Sequence, residues 1–377
     1  ALETGRPVRW TATRNEAVVS DLAARAHETH AVMGLDGEGH LLGLRVDTRA
    51  DLGAYLTGFG PGVGPALYAP LIPNVYNLPC LDIRIDGVMT NTSPTAPYRG
   101  AGRPEAVYLI ERLMDQAAIQ TGLDPFEIRR RNMITRETLP FTTVTGLTYD
   151  SGDYLAGMNE ALREADWTGF NARKAESAKR GLCRGIGIAN YIEVTSGIPR
   201  ERAELKVCDD GCVELVVGTM SSGQGHETSF PQLVSEWLQI PFDNVRFIAN
   251  DTDRVSVGGG SHSGRSMRLV SIAVGEAVED LIAKGKRIAA HVLQAPEADI
   301  TYGDGAFTAP GGASIDLYDA ANAVAGLPDD LQTEMEGGLE GVGDITNRVG
   351  GYPYGAHVCE VDVDPDTGHV DIVAWTA

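Results

Sequence analysis

Alternating apolar and polar residues predict three β-hairpins. The segments HAVMGLDGEGHLLGLRVD, AELKVCDDGCVELVVG and HVCEVDVDPDTGHVDIVAW each alternate on both sides of a short turn that contains glycine. Successive side chains of a strand point to opposite faces, so this alternation is typical of strands with one buried face. A glycine-containing turn between two such runs indicates that the two strands pair. Strands are therefore expected near the start, the middle and the end of the chain.

Apolar residues at helical spacing predict helices between the hairpins. In RPEAVYLIERLMDQAAIQTG, Pro104 suits the first turn of a helix and Gly122 suits its C-terminal cap. Asp124 and Glu127 form a predicted capping box for a helix over FEIRRRNMI. A long helix is expected from Ser266 to about Gln294. A further apolar stripe, expected to face the core, comprises Phe230, Leu233, Val234, Trp237 and Leu238.

The order of these elements predicts the fold class. Strands are grouped with helices rather than strictly alternating with them, which favours an α+β fold. The polar stretch FNARKAESAKRG precedes a new apolar run, GIGIANYIEV, and predicts a domain boundary near residue 175. We therefore expect two mixed α/β subdomains, over residues 1–175 and 176–377.

Composition and charge narrow the class of ligand. Hydrophobic residues make up 43% and charged residues 22%, as in ordinary globular proteins, whereas 45 glycines predict many tight turns or close approaches to a ligand. The net charge of -21 opposes binding to nucleic acid or to an anionic membrane surface, so a small-molecule partner is favoured. No run of about 18 apolar residues predicts a membrane span, and no segment at the start resembles a secretory signal. A cytoplasmic location is expected.

The cysteines argue against several kinds of site. There are five, an odd number without a C-x-x-C pair, which disfavours a disulfide framework, an iron–sulfur cluster or a zinc site. Cys208 and Cys212 flank an Asp-Asp-Gly turn. Two cysteines lack the further ligands that a metal needs, so we expect no metal at this turn.

Three glycine-rich segments each run from a loop into a predicted helix: 98–106 (YRGAGRPEA), 218–228 (GTMSSGQGHET) and 258–266 (GGGSHSGRS). The free N–H groups and the positive end of a helix N-terminus favour an anionic ligand. A structural turn with solvated arginines is the alternative for the first segment. In the second, Gln224 offers an amide to a ligand, and His226 is interpreted as a hydrogen-bonded structural residue. The serines of the third segment could cap the helix or bind phosphate and oxo groups.

Familiar enzyme motifs are absent from the sequence. It contains no G-x-x-x-x-G-K-[ST], and GFGPGVGP lacks the spacing of a dinucleotide-binding loop. It contains no G-x-S-x-G either, so nothing favours a serine hydrolase.

Together these segments resemble the large subunit of the molybdenum hydroxylases, the family of xanthine dehydrogenase, aldehyde oxidase and aerobic carbon monoxide dehydrogenase. The resemblance runs through GRPVRWTATRNEA, YRGAGRPEAVYLIERLMDQAA, GLDPFEIRRRNMI, GTMSSGQGHET, NDTDRVSVGGGSHSGRS and GAHVCEVDVDPDTGHV, in the family's order. It corresponds to about the central half of such a subunit. It implies a molybdenum-pterin cofactor, molybdopterin or its cytosine dinucleotide, with no iron–sulfur cluster or flavin in this chain.

The resemblance also implies a function. Such an oxidoreductase hydroxylates an electron-poor carbon of an N-heterocycle or aldehyde with water as the oxygen source. Electrons then leave through iron–sulfur and FAD subunits of a heteromeric complex, while the protein orients cofactor and substrate.

Individual residues acquire roles by the same resemblance. The turn at Arg99, Gly100 and Ala101 is expected to lie against the molybdenum at the reaction site, with the Arg99 main chain near the metal's oxygen ligands. Gly102 is expected to lie next to the cofactor. Two loops are expected to bind the pterin and its phosphate-bearing tail, through Gly223, Gln224, Gly225, His226, Thr228, Ser261, Ser263, Gly264, Arg265 and Ser266.

Two positions depart from well-known members. Carbon monoxide dehydrogenase has a copper-binding cysteine where Gly100 stands, so carbon monoxide oxidation is not expected. Purine-oxidising members have phenylalanine where Ala101 stands. The aromatic ring that would sandwich a planar substrate is thus absent, and we expect a roomier pocket and a bulkier substrate.

The family's upstream glutamine and its glutamate base, in a G-x-G-E segment, are expected outside these residues. The remaining parts of the large subunit are then expected partners, and this chain alone is expected to be inactive. GVGD, which ends at Asp344, imitates the base segment but precedes the last hairpin, whereas the family's base follows it. We interpret Asp344 as a turn residue. The alternative function is an inactive fragment or remnant that keeps the fold without catalysis.

Overall fold

The computed structural model describes residues 1–195, 197–347 and 350–377. Its strands are β1 (His27–Leu35), β2 (Leu41–Gly53), β3 (Leu81–Met89), β4 (Phe141–Thr142), β5 (Thr148–Tyr149), β6 (Cys183–Ile192), β7 (Glu201–Val207), β8 (Val213–Val217), β9 (Val245–Ile248), β10 (Thr301–Gly303), β11 (Ala306–Thr308), β12 (Ser314–Asp316), β13 (Glu340–Ile345), β14 (Tyr354–Val363) and β15 (Val370–Thr376). Its α-helices are α1 (Arg14–Ser20), α2 (Arg103–Thr121), α3 (Pro125–Asn132), α4 (Tyr154–Glu164), α5 (Phe170–Lys179), α6 (His226–Leu238), α7 (Arg265–Leu293), α8 (Leu317–Asn322) and α9 (Asp329–Glu334).

The chain forms two compact units. One comprises Ala1–Glu193 together with Tyr352–Ala377, and the other comprises Val194–Gly351. The C-terminal segment joins the first unit because β14 pairs with β6 in an antiparallel register along the full length of both strands. These units do not divide at residue 175, which lies inside α5. A division into cofactor-binding subdomains at that residue stays a prediction.

The first unit contains two three-stranded sheets. In one, β2 lies between antiparallel β1 and parallel β3; in the other, β14 lies between β15 and β6, antiparallel to both. The first and third predicted hairpins are therefore confirmed as β1 with β2 and β14 with β15. Helix α2 begins after Gly102, ends at Gly122 as predicted, and buries Ile110 and Met114 completely.

The start of α3 departs in one detail from the prediction. Asp124 caps this helix as expected, because its carboxylate accepts a hydrogen bond from the Phe126 N–H at 2.8 Å. The Glu127 carboxylate binds Arg130 and Arg131, each at 2.7 Å, instead of returning to the cap. These two guanidiniums lower the pKa of Glu127 to about 2. Charge-assisted hydrogen bonds thus replace the second half of the predicted capping box.

The second unit is built on a four-stranded sheet, ordered β13-β7-β8-β9, against which α6 and α7 pack. Strands β7 and β8 form the second predicted hairpin, and α7 is the predicted long helix. Phe230, Val234 and Leu238 are fully buried, as predicted. Trp237 was expected to face the core, but it is 38% exposed. Residues four apart on α6 share its buried face, whereas Trp237 lies at the edge of that face.

The GVGD segment lies in strand β13 rather than in the turn expected from the sequence. A Cβ atom at Gly341 would lie 2.1 Å from the Ala277 carbonyl oxygen of α7, and one at Gly343 would lie 2.0 Å from the Ala273 carbonyl oxygen. The glycines therefore allow the strand to approach the helix backbone. Asp344 pairs with Arg200 at 2.9 Å, which gives it a structural role.

Helices grouped with mainly antiparallel sheets confirm the predicted α+β class. Among the described residues, no helix combines the length and the apolar composition that crossing a bilayer requires.

Candidate functional site

The predicted reaction-site turn of the first unit has an unusual backbone. Gly100, Ala101 and Gly102 have φ angles of +94°, +40° and +87°, so three successive residues lie in the left-handed region. A Cβ atom at Gly102 would lie 2.8 Å from the Tyr68 backbone nitrogen, which excludes larger residues there. Ala101 adopts this conformation at a steric cost, since left-handed backbone disfavours residues with a Cβ atom. The surroundings must therefore hold the turn in place.

Arg25, in the segment that precedes β1, supports this turn. Its guanidinium donates a short hydrogen bond to the Arg99 carbonyl oxygen and lies 4.9 Å from the centre of the Tyr98 ring. Within the turn, the Ala101 N–H donates to the Tyr98 carbonyl oxygen at 2.6 Å. Arg99 itself is exposed. The structure thus presents the Arg99 side chain to solvent while its main chain is held.

Arg103 fastens the other end of the turn. This buried residue pairs with Glu193 at 2.9 Å and donates to the Ala101 carbonyl oxygen at 3.3 Å. Burial lowers the pKa of the Arg103 guanidinium, while Glu193 opposes that shift. Neither Arg25 nor Arg103 was expected at the site as a support, because the contact of Arg25 spans 74 positions in sequence.

A cavity of about 270 Å³ lies beside the turn, within the first unit. Its lining includes Arg25, His27, Tyr98, Ala101 and Glu105. The Glu105 Oε2 atom and the His27 Nδ1 atom are buried and have no hydrogen-bond partner among the described residues. Burial is the main cause that lowers the pKa of His27, so it favours the neutral imidazole. Buried polar atoms without partners are the groups that a bound ligand or water satisfies.

The two predicted loops of the second unit meet through their backbones. A Cβ atom at Gly218 would lie 2.1 Å from the Gly258 Cα atom, so only glycines allow the loops to approach this closely. The Gly260 N–H donates to the Gly218 carbonyl oxygen at 3.2 Å. Two segments that are separate in sequence therefore lie side by side.

A chain of hydrogen bonds links the polar side chains of these loops. The Gln224 amide donates to the Ser261 hydroxyl at 2.8 Å, and Ser261 and Ser266 lie 3.0 Å apart. The Thr219 hydroxyl donates to Ser266 at 2.8 Å. The structure thus brings Gln224, Ser261 and Ser266 together, and it adds Thr219, which was not predicted from the sequence.

Helices α2, α6 and α7 all begin directly after one of the predicted loops. Their N-cap residues are Gly102, Gly225 and Gly264, each left-handed and without a side-chain cap. The serines of the third segment therefore do not cap α7, which was one of their two predicted roles. Side chains cap α1, α3, α4 and α8, whereas α5 and α9 also begin without a side-chain cap. In each first turn one N–H group already donates within the loop: Arg103 to Gly100, Thr228 to Gly225 and Arg265 to His262. Only part of each first turn is therefore left for another acceptor.

Arg265 takes a different place from the one expected. It is 1% exposed and pairs with Glu201, which is fully buried, at 2.8 Å. It also donates to the carbonyl oxygens of Gly260 and Arg200, at 2.6 and 2.7 Å. With its guanidinium engaged inside the fold, Arg265 positions the loop, and the geometry does not favour contact between its side chain and a cofactor.

The remaining predicted residues surround the start of α6 and α7. His226 is buried, its Nδ1 atom lacks a partner among the described residues, and its ring lies 4.7 Å from that of Phe230. Thr228 is exposed in the first turn of α6. Around α7, Ser263 is left-handed with a φ angle of +51° and is partly exposed. Gly223 is exposed in the loop before α6.

Loops that enter helix N-termini without a side-chain cap are typical of sites for an anionic group. Models of the molybdopterin cofactor-binding domain match residues 1–133 and 160–377. The chain therefore belongs to the molybdopterin cofactor-binding domain family, which confirms the resemblance found in its sequence.

Relatives place the chain among large subunits of molybdenum enzymes. It is 31% identical over 388 residues to the carbon monoxide dehydrogenase large chain of Hydrogenophaga pseudoflava, covering 98% of this chain and 48% of the relative. It is 32% identical over 370 residues to the 6-hydroxypseudooxynicotine dehydrogenase complex subunit gamma of Paenarthrobacter nicotinovorans, covering 97% and 46%. The quinoline 2-oxidoreductase structure from Pseudomonas putida 86 matches with a TM-score of 0.86 and 28% identity, covering 99% and 49%. The chain thus spans about half the length of these relatives.

The donor set fits a molybdenum-pterin cofactor. A phosphate-bearing ligand needs N–H and O–H donors, and uncapped helix N-termini with adjacent hydroxyl and amide groups supply them.

Proposed function

We propose that this chain is the cofactor-binding part of a molybdenum hydroxylase large subunit. The enzyme would hydroxylate an electron-poor carbon of an N-heterocycle or an aldehyde with oxygen from water. The observation that carries the proposal is the pair of uncapped helices, α6 and α7, whose preceding loops are joined through Gln224, Ser261 and Ser266.

In this proposal the loops bind and orient, and the metal supplies the redox chemistry. The Gln224 amide and the Ser261 hydroxyl would hydrogen-bond the pterin and its tail. The first-turn N–H groups of α6 and α7 that are not bound within the loops would donate to the phosphate. The main chain at Arg99, Gly100 and Ala101 would lie near the molybdenum when the cofactor is bound. Because Arg25 and Arg103 hold this turn, its backbone is fixed before the cofactor binds, and the Ala101 N–H is already used within the turn.

Cofactor content provides the test. Gln224→Ala and Ser266→Ala should each lower the molybdenum and pterin content of the purified complex, measured per folded chain. Gln232→Ala and Ser271→Ala, on the same two helices but outside the hydrogen-bond chain, are the matched controls. If all four variants retain full molybdenum, the loops do not bind the cofactor and the proposal is wrong.

The cavity beside Ala101 supports the proposed substrate class. Its 270 Å³ lies just below the range of about 300–1,000 Å³ usual for ligand pockets, so it suits a small substrate and gives no support to a bulky one. The buried Glu105 carboxylate oxygen would accept a hydrogen bond from a ring N–H, which favours an N-heterocycle over an aldehyde. Ala101→Phe, which narrows this cavity, should impair the turnover of N-heterocycles more than that of small aldehydes. An equal loss for every substrate would contradict this assignment.

The proposed enzyme would be a heteromeric, cytoplasmic complex. The expected partners are an iron–sulfur subunit, an FAD subunit and the remaining parts of the large subunit, which supply the upstream glutamine and the glutamate base. The cofactor would be molybdopterin or its cytosine dinucleotide. The alternative is a remnant that keeps the fold without catalysis. Such a remnant would purify without molybdenum even with intact loops, whereas the enzyme would contain it.

A further inference from the structure

Three potential metal ligands meet at the tip of the hairpin formed by β7 and β8. The thiols of Cys208 and Cys212 and the carboxylate of Asp210 present one donor atom each, all within 4.8 Å of one another. Both cysteines are free and partly exposed. The sequence showed the two thiols but not that Asp210 turns toward them, which is why no metal was expected there.

The turn backbone fixes this arrangement. The Cys208 N–H donates to the Cys212 carbonyl oxygen at 2.9 Å, and the Gly211 N–H donates to the Cys208 carbonyl oxygen at 3.1 Å. Gly211 has a φ angle of +80°, which glycine adopts without strain. The two cysteines therefore face each other across a closed turn. The paired strands, rather than a flexible loop, hold their positions.

The spacing matches a thiophilic cation. Zinc–sulfur bonds are about 2.3 Å and zinc–oxygen bonds about 2.0–2.2 Å, so ligands around one tetrahedral zinc lie about 3.5–3.8 Å apart. Donor atoms that already lie within 4.8 Å need to move by only about 1 Å to close on the metal. Thiolates favour zinc or cadmium over magnesium or calcium, which prefer oxygen.

A cation at this site would compete with the Arg246 guanidinium for Asp210. Asp210 pairs with Arg246 at 2.6 Å, and Arg246 also lies 3.1 Å from Glu214. A cation must therefore displace one guanidinium and the thiol protons, and Glu214 remains to neutralise the released Arg246. Binding of intermediate strength follows, below that of a four-ligand structural zinc site.

We propose that Cys208, Asp210 and Cys212 form a binding site for a thiophilic divalent cation such as Zn²⁺, with water at the fourth position. The site is independent of the proposed cofactor loops, because none of its three donor groups belongs to them.

Differential alkylation tests the proposal on the protein as it is isolated, with any bound subunits. The fully reduced protein is treated with iodoacetamide at increasing Zn²⁺, and the modification of each cysteine is read by peptide mass spectrometry. Cys208 and Cys212 should become protected together and saturably, and a chelator should reverse the protection. Cys183, which is exposed and belongs to the other unit, is the internal control and should react equally throughout. Magnesium should protect none of them.

Two variants separate a metal site from a thiol pair that binds no metal. Asp210→Asn should raise the Zn²⁺ concentration for half-protection by about tenfold or more, whereas its neighbour control, Asp209→Asn, should not change it. Equal reactivity of Cys208 and Cys212 with and without Zn²⁺ would overturn the proposal. So would equal shifts in the two variants, or protection that a reductant reverses and a chelator does not, since the last result indicates a disulfide.

Discussion

The buried pair of Arg265 and Glu201 gives the sharpest test of how the second unit holds its loops. Glu201 is fully buried, and its carboxylate accepts hydrogen bonds from the N–H groups of Gly218 and Gly259 at 3.2 and 3.4 Å as well as from Arg265. The Glu201 carboxylate thus connects the two neighbouring loops that precede α6 and α7. The Arg265 guanidinium is its buried counter-charge at 2.8 Å.

Arg265→Met keeps most of the side-chain volume and removes the charge. It leaves the Glu201 carboxylate buried without a cation. It also removes the hydrogen-bond donor of the Gly260 and Arg200 carbonyl oxygens, which Arg265 binds. Breaking a buried ion pair from one side costs about 3–5 kcal/mol, so we expect the free energy of unfolding of this unit to fall by that amount. The double variant Arg265→Met/Glu201→Gln removes the lone charge and should recover part of the loss.

Urea denaturation followed by tryptophan fluorescence measures this effect, since Trp237 lies in the same unit and is partly exposed. The matched control is Arg268→Met, which removes a more exposed guanidinium from the same helix. A loss below about 1 kcal/mol for Arg265→Met, the usual value of a surface pair, would refute the reasoning. A double variant no more stable than the single one would refute it equally.

Two further predictions concern the packing of each unit. Arg184 holds the pKa of Asp362 well below its ordinary value of 3.8 in the first unit. Because the folded-state pKa is depressed, the stability that this ion pair contributes is full above about pH 4 and is lost as the pH falls. Asp362→Asn should therefore flatten that part of the acid unfolding curve. An unchanged curve would contradict the pairing. In the second unit, Gly341→Ala would place a methyl group 2.1 Å from the Ala277 carbonyl oxygen and should lower stability by about 1–3 kcal/mol. Gly37→Ala, which has open space around it, should change the melting temperature little; similar losses for both would disprove the close helix–strand contact.

Local patterns in the sequence were sufficient for the elements of the fold. The three hairpins, the long helix α7 and the ends of α2 follow from residues close together in the chain, because alternation, helical spacing and glycine caps act over one or two turns. The loops before α6 and α7 were also visible, since glycine runs that enter a helix have few structural uses.

The side-chain assignments of the site were less complete. Gln224 and Ser261 were predicted and do meet, but Arg265 was predicted as a ligand and instead forms a buried pair with Glu201. Nothing adjacent to Glu201 in the sequence marks it as buried. A charged residue's burial depends on a partner that, in this case, is 64 positions away.

By itself, the sequence determined the repertoire of strands, helices and anion-binding loops, because each is encoded by neighbours in the chain. The tertiary structure alone decided which distant segments join. It paired β14 with β6, so that the C-terminal segment completes the first unit, and it used the glycines of GVGD to bring β13 against α7. Pairing between distant strands and close backbone contact depend on three-dimensional proximity, which periodicity along the chain does not encode.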